Sequence, residues 1–442
     1  MQKNNCNIKL SILFTVWVGL NSIHINAQSA RQDIEKRPNL AAGKYMAYEN
    51  PVNPGTPVPV GYTPFYISTY ARHGSRYLTD AEKYEHPLHY LTMAERLNHL
   101  TPDGKKAKAI IEQLAASAQN RYGELTPKGA QQHRDLARRM FENYPQLFKA
   151  GTHVDARSTY KTRAFLSMTA ACIELKGLSP KLNITTDASL ADSYYIKYKN
   201  KPYTQKYTAK ADSIYAVADS LFIHPDRLMH QLFNNEKFIR DSIDCPEILM
   251  QEIFELHGIS QSSYNQEDLA FLFTKDELYE LWQRNNFEWY YEKGPSPLSQ
   301  HKMPNLARNL LQNIISTADT AITSSQACVT LRFGHDTNLA PLISLMEINQ
   351  FDKATDQWNE IPLYYKTYEL IPMCANLQLI FYCKGKNRKD ILVKALLNEK
   401  EVTLPVESKT APYYEWNTLR NYYLKKISHL ILPEVPKGQE DD

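Results

Sequence analysis

Basic residues stand where three apolar, β-branched runs stop. Arg72, His73 and Arg76 follow the run Phe65–Tyr70. Arg157 ends the run Thr152–Ala156, and His335 with Asp336 follows Ala327–Phe333. If these runs are strands of one α/β sheet, a ligand sits outside their carboxyl ends, and all six side chains converge on one crevice. Guanidinium and imidazole groups gathered in this way suit a tetrahedral dianion, because Arg offers rigid paired donors to phosphate oxygens. The imidazole of His73 can attack phosphorus and form a covalent intermediate that water later resolves. Gly74 lets the backbone turn sharply beside it. Asp336 can protonate the leaving alkoxide and then activate the water. A bare His-Asp pair is uninformative, and Asp336 could also cap the helix that Thr337 to Leu342 would form, a role that does not exclude catalysis. The weight lies in the three strand ends taken together.

The elements that must hold these residues are readable in outline. Residues 28–60 are polar and Pro-rich and predict an irregular lead-in. Residues 81–150 are helical in pattern, with one clear start at Thr126 (N-cap) and Pro127. A further helix carries Ala164, Phe165, Met168, Ala171, Cys172 and Leu175 at helical spacing, with Gly177 as its stop. From about 190 to 300 the chain is helix-biased and rich in aromatic residues. Leu377–Cys383 and Ile391–Leu397 flank a KGKNRK turn and predict a hairpin. Strands interrupted by helices predict an α/β fold, a mixed sheet flanked by helices. The expected division is a core of residues 28–190 plus 301–442, with 191–300 inserted as a mainly α-helical cap.

Composition excludes other classes. Over 442 residues, 51 Lys and Arg stand against 48 Asp and Glu, a net charge of +3. That balance argues against a nucleic-acid protein, which would carry a strong basic excess. Lys3 and Lys9 precede an apolar run, Leu10–Leu20, and a small-residue site ends at Ala27. This pattern predicts a secretory signal peptide over 1–27, too short to span a bilayer. The chain is therefore expected to be exported, periplasmic or released, with no membrane span. Removing 1–27 takes two Lys and no acid, leaving a charge of +1. Cys172, Cys245, Cys328, Cys374 and Cys383 then remain, scattered and without a C-x-x-C pair, so neither a zinc site nor a disulfide is expected. His86 and His89 have no third ligand nearby in the sequence. No metal and no other cofactor is expected.

Arg72-His73-Gly74-Ser75-Arg76 resembles the RHGxRxP signature of the histidine acid phosphatases, the phytase-containing branch of the histidine phosphatases. Gly123-Glu124-Leu125-Thr126 with Gly129 is similar to the family's G-x-L-T-x-x-G segment. Arg157-Ser158-Thr159, with Arg163 and Ser167 beyond, is similar to its RST…R…S element. Gly177-Leu178-Ser179-Pro180 looks like its helix end and His335-Asp336 like its HD motif. The surrounding PFYISTYARHGSRY most resembles the multiple inositol-polyphosphate phosphatase subgroup. The resemblance implies an α/β core with a helical cap, a phosphohistidine at His73, and phosphate binding by Arg72, Arg76, Arg157 and His335. Two departures stand out. Leu78 replaces the signature's Pro, and His335-Asp336-Thr337 stands where that subgroup often has His-Ala-Glu.

Substrate choice would then fall to the insertion. Between Tyr194 and Lys210 lie five Tyr and five Lys with no acid. Lys197, Lys199 and Lys201 could serve a polyanion, with Tyr hydroxyls adding hydrogen bonds. The same strip could be a solvated face with its rings packed behind it. Trp282, Phe287, Trp289 and Tyr290 are expected in the insertion's core. The partner these features suggest is a small phosphorylated substrate such as an inositol polyphosphate, with a sugar phosphate or nonspecific phosphomonoester as the alternative. A non-catalytic phosphate-binding envelope protein is a third reading, which the proton donor Asp336 disfavours.

Overall fold

A computed structural model describes residues 30–51, 55–264, 267–324, 328–385 and 387–432. The expected leader lies outside the described residues, as does Ala327. The strands are β1 (Tyr62–Arg72), β2 (His153–Ser158), β3 (Asn183–Asp187), β4 (Cys328–Gly334), β5 (Asn376–Lys384), β6 (Asn387–Leu397), β7 (Lys400–Glu401) and β8 (Tyr413–Glu415). They form one mixed sheet in the order β3-β2-β4-β1-β5-β6-β7, with β8 beside β6. Strand β1 is central. It runs parallel to β4 and antiparallel to β5, and residues 65–72 are all buried. A strand covered on both faces reads as a continuous apolar run rather than an alternating one.

The register decides where the chemistry can sit. Arg72 lies opposite Gly334, and Phe333 lies opposite Ser158. The parallel strands β1, β4 and β2 therefore end level, and the residues that follow them enter the same space.

Helices cover both faces. In chain order they are α1 (30–36), α2 (Glu82–Arg96), α3 (Pro102–Ala118), α4 (Pro127–Asn143) and α5 (Thr162–Leu178). Next come α6 (Ser193–Ile196), α7 (Lys201–Tyr207), α8 (Ala211–Phe222), α9 (Asp226–Leu232), α10 (Glu236–Ser242), α11 (Pro246–Ser260) and α12 (Lys275–Lys293). The last are α13 (Arg308–Thr323), α14 (Asp336–Leu345), α15 (Ile361–Tyr364), α16 (Thr367–Leu370) and α17 (Trp416–Ser428). Ala137, Met140, Met168 and Leu175 of α4 and α5 pack on Ile67, Val154, Val329 and Leu331. On the other face Leu311, Ile315, Leu342 and Leu419 of α13, α14 and α17 pack on Tyr66, Tyr70, Leu379 and Val393. Each such side chain, fully buried, contributes roughly 1.5–3 kcal/mol.

The helical layer differs from the expected division. Its core joins Leu249, Phe254 and Trp282 of α11 and α12 to Leu91, Ile111 and Leu114 of α2 and α3. Ala30, Ile34 and Leu40 belong to it as well. The layer thus draws on segments before β2, not on residues 191–300 alone, and the lead-in is partly ordered and helical. The predicted start at Thr126 is present, with its hydroxyl accepting from Gly129 N at 3.1 Å. Gly177 does not stop α5, which runs on to Leu178. Pro180 sets the end, because the residue before a proline disfavours helical backbone.

Two glycines let α4 dock against the loop after β1. A Cβ on Gly74 would lie 2.3 Å from the Gly129 carbonyl oxygen, and one on Gly129 would lie 2.1 Å from that of Ser75. Both neighbours are backbone, so no rotamer change relieves the overlap. Gly129→Ala is expected to lower stability by about 1–3 kcal/mol in a denaturant titration. Gly177→Ala, in a helix with nothing within 4 Å, is expected to raise it by about 0.5–1 kcal/mol.

Candidate active site

The loop after β1 places His73 from several directions. Its N–H donates to Gly334 O at 2.9 Å, and its carbonyl accepts from Cys374 N at 2.9 Å. Gly74 N donates to Ser167 Oγ at 3.1 Å, and Ser75 N to Gln132 Oε1 at 2.8 Å. The ring is buried, with Nδ1 2.8 Å from Gly74 O. A carbonyl can only accept, so Nδ1 carries the hydrogen and Nε2 presents the lone pair. Burial pushes the ring's pKa well below its usual value, and Arg163, Arg72, His335 and Arg76 push it further. The imidazole is therefore neutral and nucleophilic. His335, at the end of β4, brings its ring centre to 5.5 Å from that of His73. Its Nε2 lies 3.0 Å from Thr159 Oγ1, and its backbone N–H donates to Tyr70 Oη at 3.1 Å.

Three guanidinium groups face this pair of rings. Arg72 is fully buried; its Nη1 donates to Lys44 O at 2.5 Å and also to Ile371 O, and its Nη2 pairs with Asp336 Oδ2 at 2.7 Å. Arg76 donates to Tyr77 O at 2.7 Å and lies over the Tyr45 ring at 5.5 Å. Arg163, in the first turn of α5, reaches Gly123 O at 3.5 Å. Burial, followed by Arg76, brings Arg163 down to about 10. Among the described residues, the buried Nε of each of the three has no hydrogen-bond partner. An unmet buried donor costs about 1–3 kcal/mol. All three arginines act on His73, and guanidinium groups gathered on one point suit an anion.

Asp336 is the carboxylate of the site. Burial alone would raise its pKa, but Arg72, Arg76, Lys44 and His335 outweigh it and hold the carboxyl below its usual range. It is the first residue of α14, one place past the N-cap position that sequence offered as an alternative.

Arg72, His73, Arg76, His335 and Asp336 therefore come together, and Arg157 does not join them. Its side chain pairs with Asp155 and Asp187, each at 2.9 Å, and with Asp192 at 3.3 Å. Side chains two apart on a strand share a face, so Arg157 follows Asp155 rather than the crevice. Arg163, six residues on, takes the position expected of it. Lys197 and Lys199 are among the groups that act on His335, after burial, Arg163 and Asp336. Lys197 is buried, its Nζ donating to Tyr160 Oη and lying 4.1 Å from that ring's centre. Lys201 is the exposed first residue of α7 and is not among those groups. The strip divides between the two readings offered for it, since Tyr198 and Tyr203 pack with Met303 and Leu306. Lys44, which sequence did not single out, acts on Asp336 after Arg72 and Arg76. No group of three or more His, Cys, Asp or Glu among the described residues is placed to hold a metal ion.

This chain is 22% identical to multiple inositol polyphosphate phosphatase 1 of Gallus gallus over 445 aligned positions, 93% of this chain and 90% of that one. Its fold is similar to that of the Bifidobacterium longum multiple inositol polyphosphate phosphatase in complex with phosphate. That likeness has a TM-score of 0.71 at 18% identity and covers 87% of this chain and 97% of the other. The D. castellii phytase is similar at a TM-score of 0.65 and 15% identity, over 88% and 85% of the two chains. The sequence model of the Histidine phosphatase superfamily (branch 2) matches residues 68–398, and the chain belongs to that family.

Proposed function

We propose that the chain is an exported phosphomonoesterase that hydrolyses inositol polyphosphates through a phosphohistidine at His73. The observation that carries this reading is a buried, neutral imidazole, oriented by Nδ1 on Gly74 O, on which three arginines act together. A phosphoryl group held by Arg72, Arg76, Arg163 and His335 would lie against Nε2 of His73. In the first step the His73 Nε2–phosphorus bond forms and the ester oxygen departs with a proton from Asp336. In the second, water attacks phosphorus, Asp336 takes a proton from it, the N–P bond breaks, and inorganic phosphate is released. The cations Lys197, Lys199 and Lys44 at the crevice favour a substrate bearing more than one phosphate. The Bifidobacterium longum protein has been seen with phosphate and with inositol hexasulfate, which supports the same substrate class. The charged start and apolar run of residues 3–20 support export, and no helix among the described residues is long and apolar enough to cross a membrane.

Proton supply follows from the electrostatics. Asp336 is ionised beside Arg72, yet it must donate a proton. A phosphate dianion on the same arginines offsets their field and raises the carboxyl, so a proton enters with the substrate. His73, held low by burial and cations, stays unprotonated in acid. Activity therefore peaks below neutrality, and its acid limb lies below the ordinary histidine range of about 6.5. A kcat/KM profile with its acid limb at or above that value would contradict the neutral His73.

His73→Ala should reduce hydrolysis of p-nitrophenyl phosphate by about a thousandfold or more, and an alkaline quench should trap labelled phosphohistidine only in chains that keep His73. Asp336→Asn should impair phytate hydrolysis about a hundredfold more than that of p-nitrophenyl phosphate, whose leaving group needs no proton. Arg163→Met should lower kcat/KM on both substrates by about a hundredfold. Faster turnover of glucose 1-phosphate than of phytate would favour the general phosphatase instead.

A further inference from the structure

Residues 187–199 lead from the edge strand β3 to the mouth of the crevice, and side chains of the sheet and its helices hold that path at regular points. Arg157 Nη1 donates to Asp187 at 2.9 Å and to Asp192 at 3.3 Å, while its Nε donates to Asp155. Asn309 Nδ2 donates to Tyr194 O at 2.9 Å, Tyr70 Oη to Ile196 O at 3.0 Å, and Asn338 Nδ2 to Tyr198 O at 3.1 Å. The anchored residues are thus 192, 194, 196 and 198. Lys197 lies between the last two anchors and Lys199 just beyond, and both act on His335.

The first anchor differs from the last two. Tyr70 also accepts the N–H of His335, and Asn338 lies in the helix that Asp336 opens; both are tied to the reacting centre. Arg157 touches no group of that centre. Its pairs are partly exposed, with about a third of its own side chain accessible, and such pairs hold little of a protein's stability. Without the guanidinium, Asp155, Asp187 and Asp192 would face one another as like charges, and the path between 187 and 192 would open.

We infer that Arg157 is a positioning residue for substrate choice. By clamping Asp187 and Asp192 it sets the course that brings Lys197 and Lys199 beside the crevice, where they take phosphates other than the one being cleaved. The inference rests on the inositol polyphosphate reading given above.

The test compares wild type, Arg157→Met, Asp192→Asn, the double variant and Arg157→Lys as full mature chains. The substrates are myo-inositol hexakisphosphate and p-nitrophenyl phosphate. KM for the hexakisphosphate should rise about five- to tenfold in Arg157→Met, with kcat and both constants for p-nitrophenyl phosphate within about twofold of wild type. Asp192→Asn should shift KM the same way, the double variant no further than Arg157→Met, and Arg157→Lys should recover most of the loss. A parallel fall on p-nitrophenyl phosphate would overturn the inference, because Arg157 would then serve the reacting phosphate or the fold. An unchanged hexakisphosphate KM would overturn it as well. If Arg157→Met does not fold, Asp192→Asn, which removes a single contact, decides the matter. Should wild type leave the hexakisphosphate intact, the substrate reading fails by itself. The positioning role is then judged by inositol hexasulfate as a competitive inhibitor of p-nitrophenyl phosphate hydrolysis: its Ki rises by the same factor in Arg157→Met, or the role is refuted.

Discussion

Three guanidinium groups share one buried crevice with two imidazoles and a single carboxylate, and the repulsion among the arginines is the constraint the surrounding architecture answers. Two like charges about 6 Å apart repel by about 3 kcal/mol at an effective dielectric of about 20. Each cation is therefore held by a separate element. Two carbonyls and Asp336 hold Arg72, a carbonyl and the Tyr45 ring hold Arg76, and the start of α5 holds Arg163. Arg72, fully buried among its three partners, is the most rigidly held of them. Burial, and then the same field that repels, deny His73 its proton. Burial and positive charge thus keep the nucleophile in its unprotonated form, and the arginines prepare the place where a dianion would lie.

That rigidity comes from backbone more than from side chains. The level ends of β1, β2 and β4 bring the two histidine rings together, and the interlock of Gly74 with Gly129 brings α4 up against the loop they stand on. Cys374, whose N–H supports the His73 carbonyl, holds a left-handed φ of 61°, a conformation that non-glycine residues rarely adopt. Neighbouring turns brace it: Asn398 Oδ1 accepts from Asn376 N at 2.9 Å, two residues along.

Much of this was legible in the chain. Buried strands carry a compositional signature, so β1, β4 and the β5–β6 hairpin stood out, and with them Arg72, His73, Arg76, His335 and Asp336. The short strands β3, β7 and β8 did not, because they are polar or only a few residues long. Arg157 was misread for a period-two reason: its partnership with Asp155 is visible at spacing two, but Asp187 and Asp192 lie 30 and 35 residues away. Arg163 was visible as a motif residue without a role. Ala30 and Ile34 sit four apart, the one helical trace in a lead-in that otherwise reads as irregular. Which helices share a core was beyond reach, since α2 and α3 meet α11 across more than a hundred intervening residues.

The placement of residues 30–46 bears on the order in which the molecule assembles. This segment is synthesised early, yet its partners lie far along the chain: Tyr45 meets Glu255, Gly43 sits against Trp282 and Thr367, and Met46 O accepts from Met373 N. Lys44, whose carbonyl helps fix Arg72, cannot settle until those residues exist. A nascent or truncated chain therefore carries the His73 loop without the wall that orients its first arginine. Competence can arrive only once the chain has been made as far as Met373.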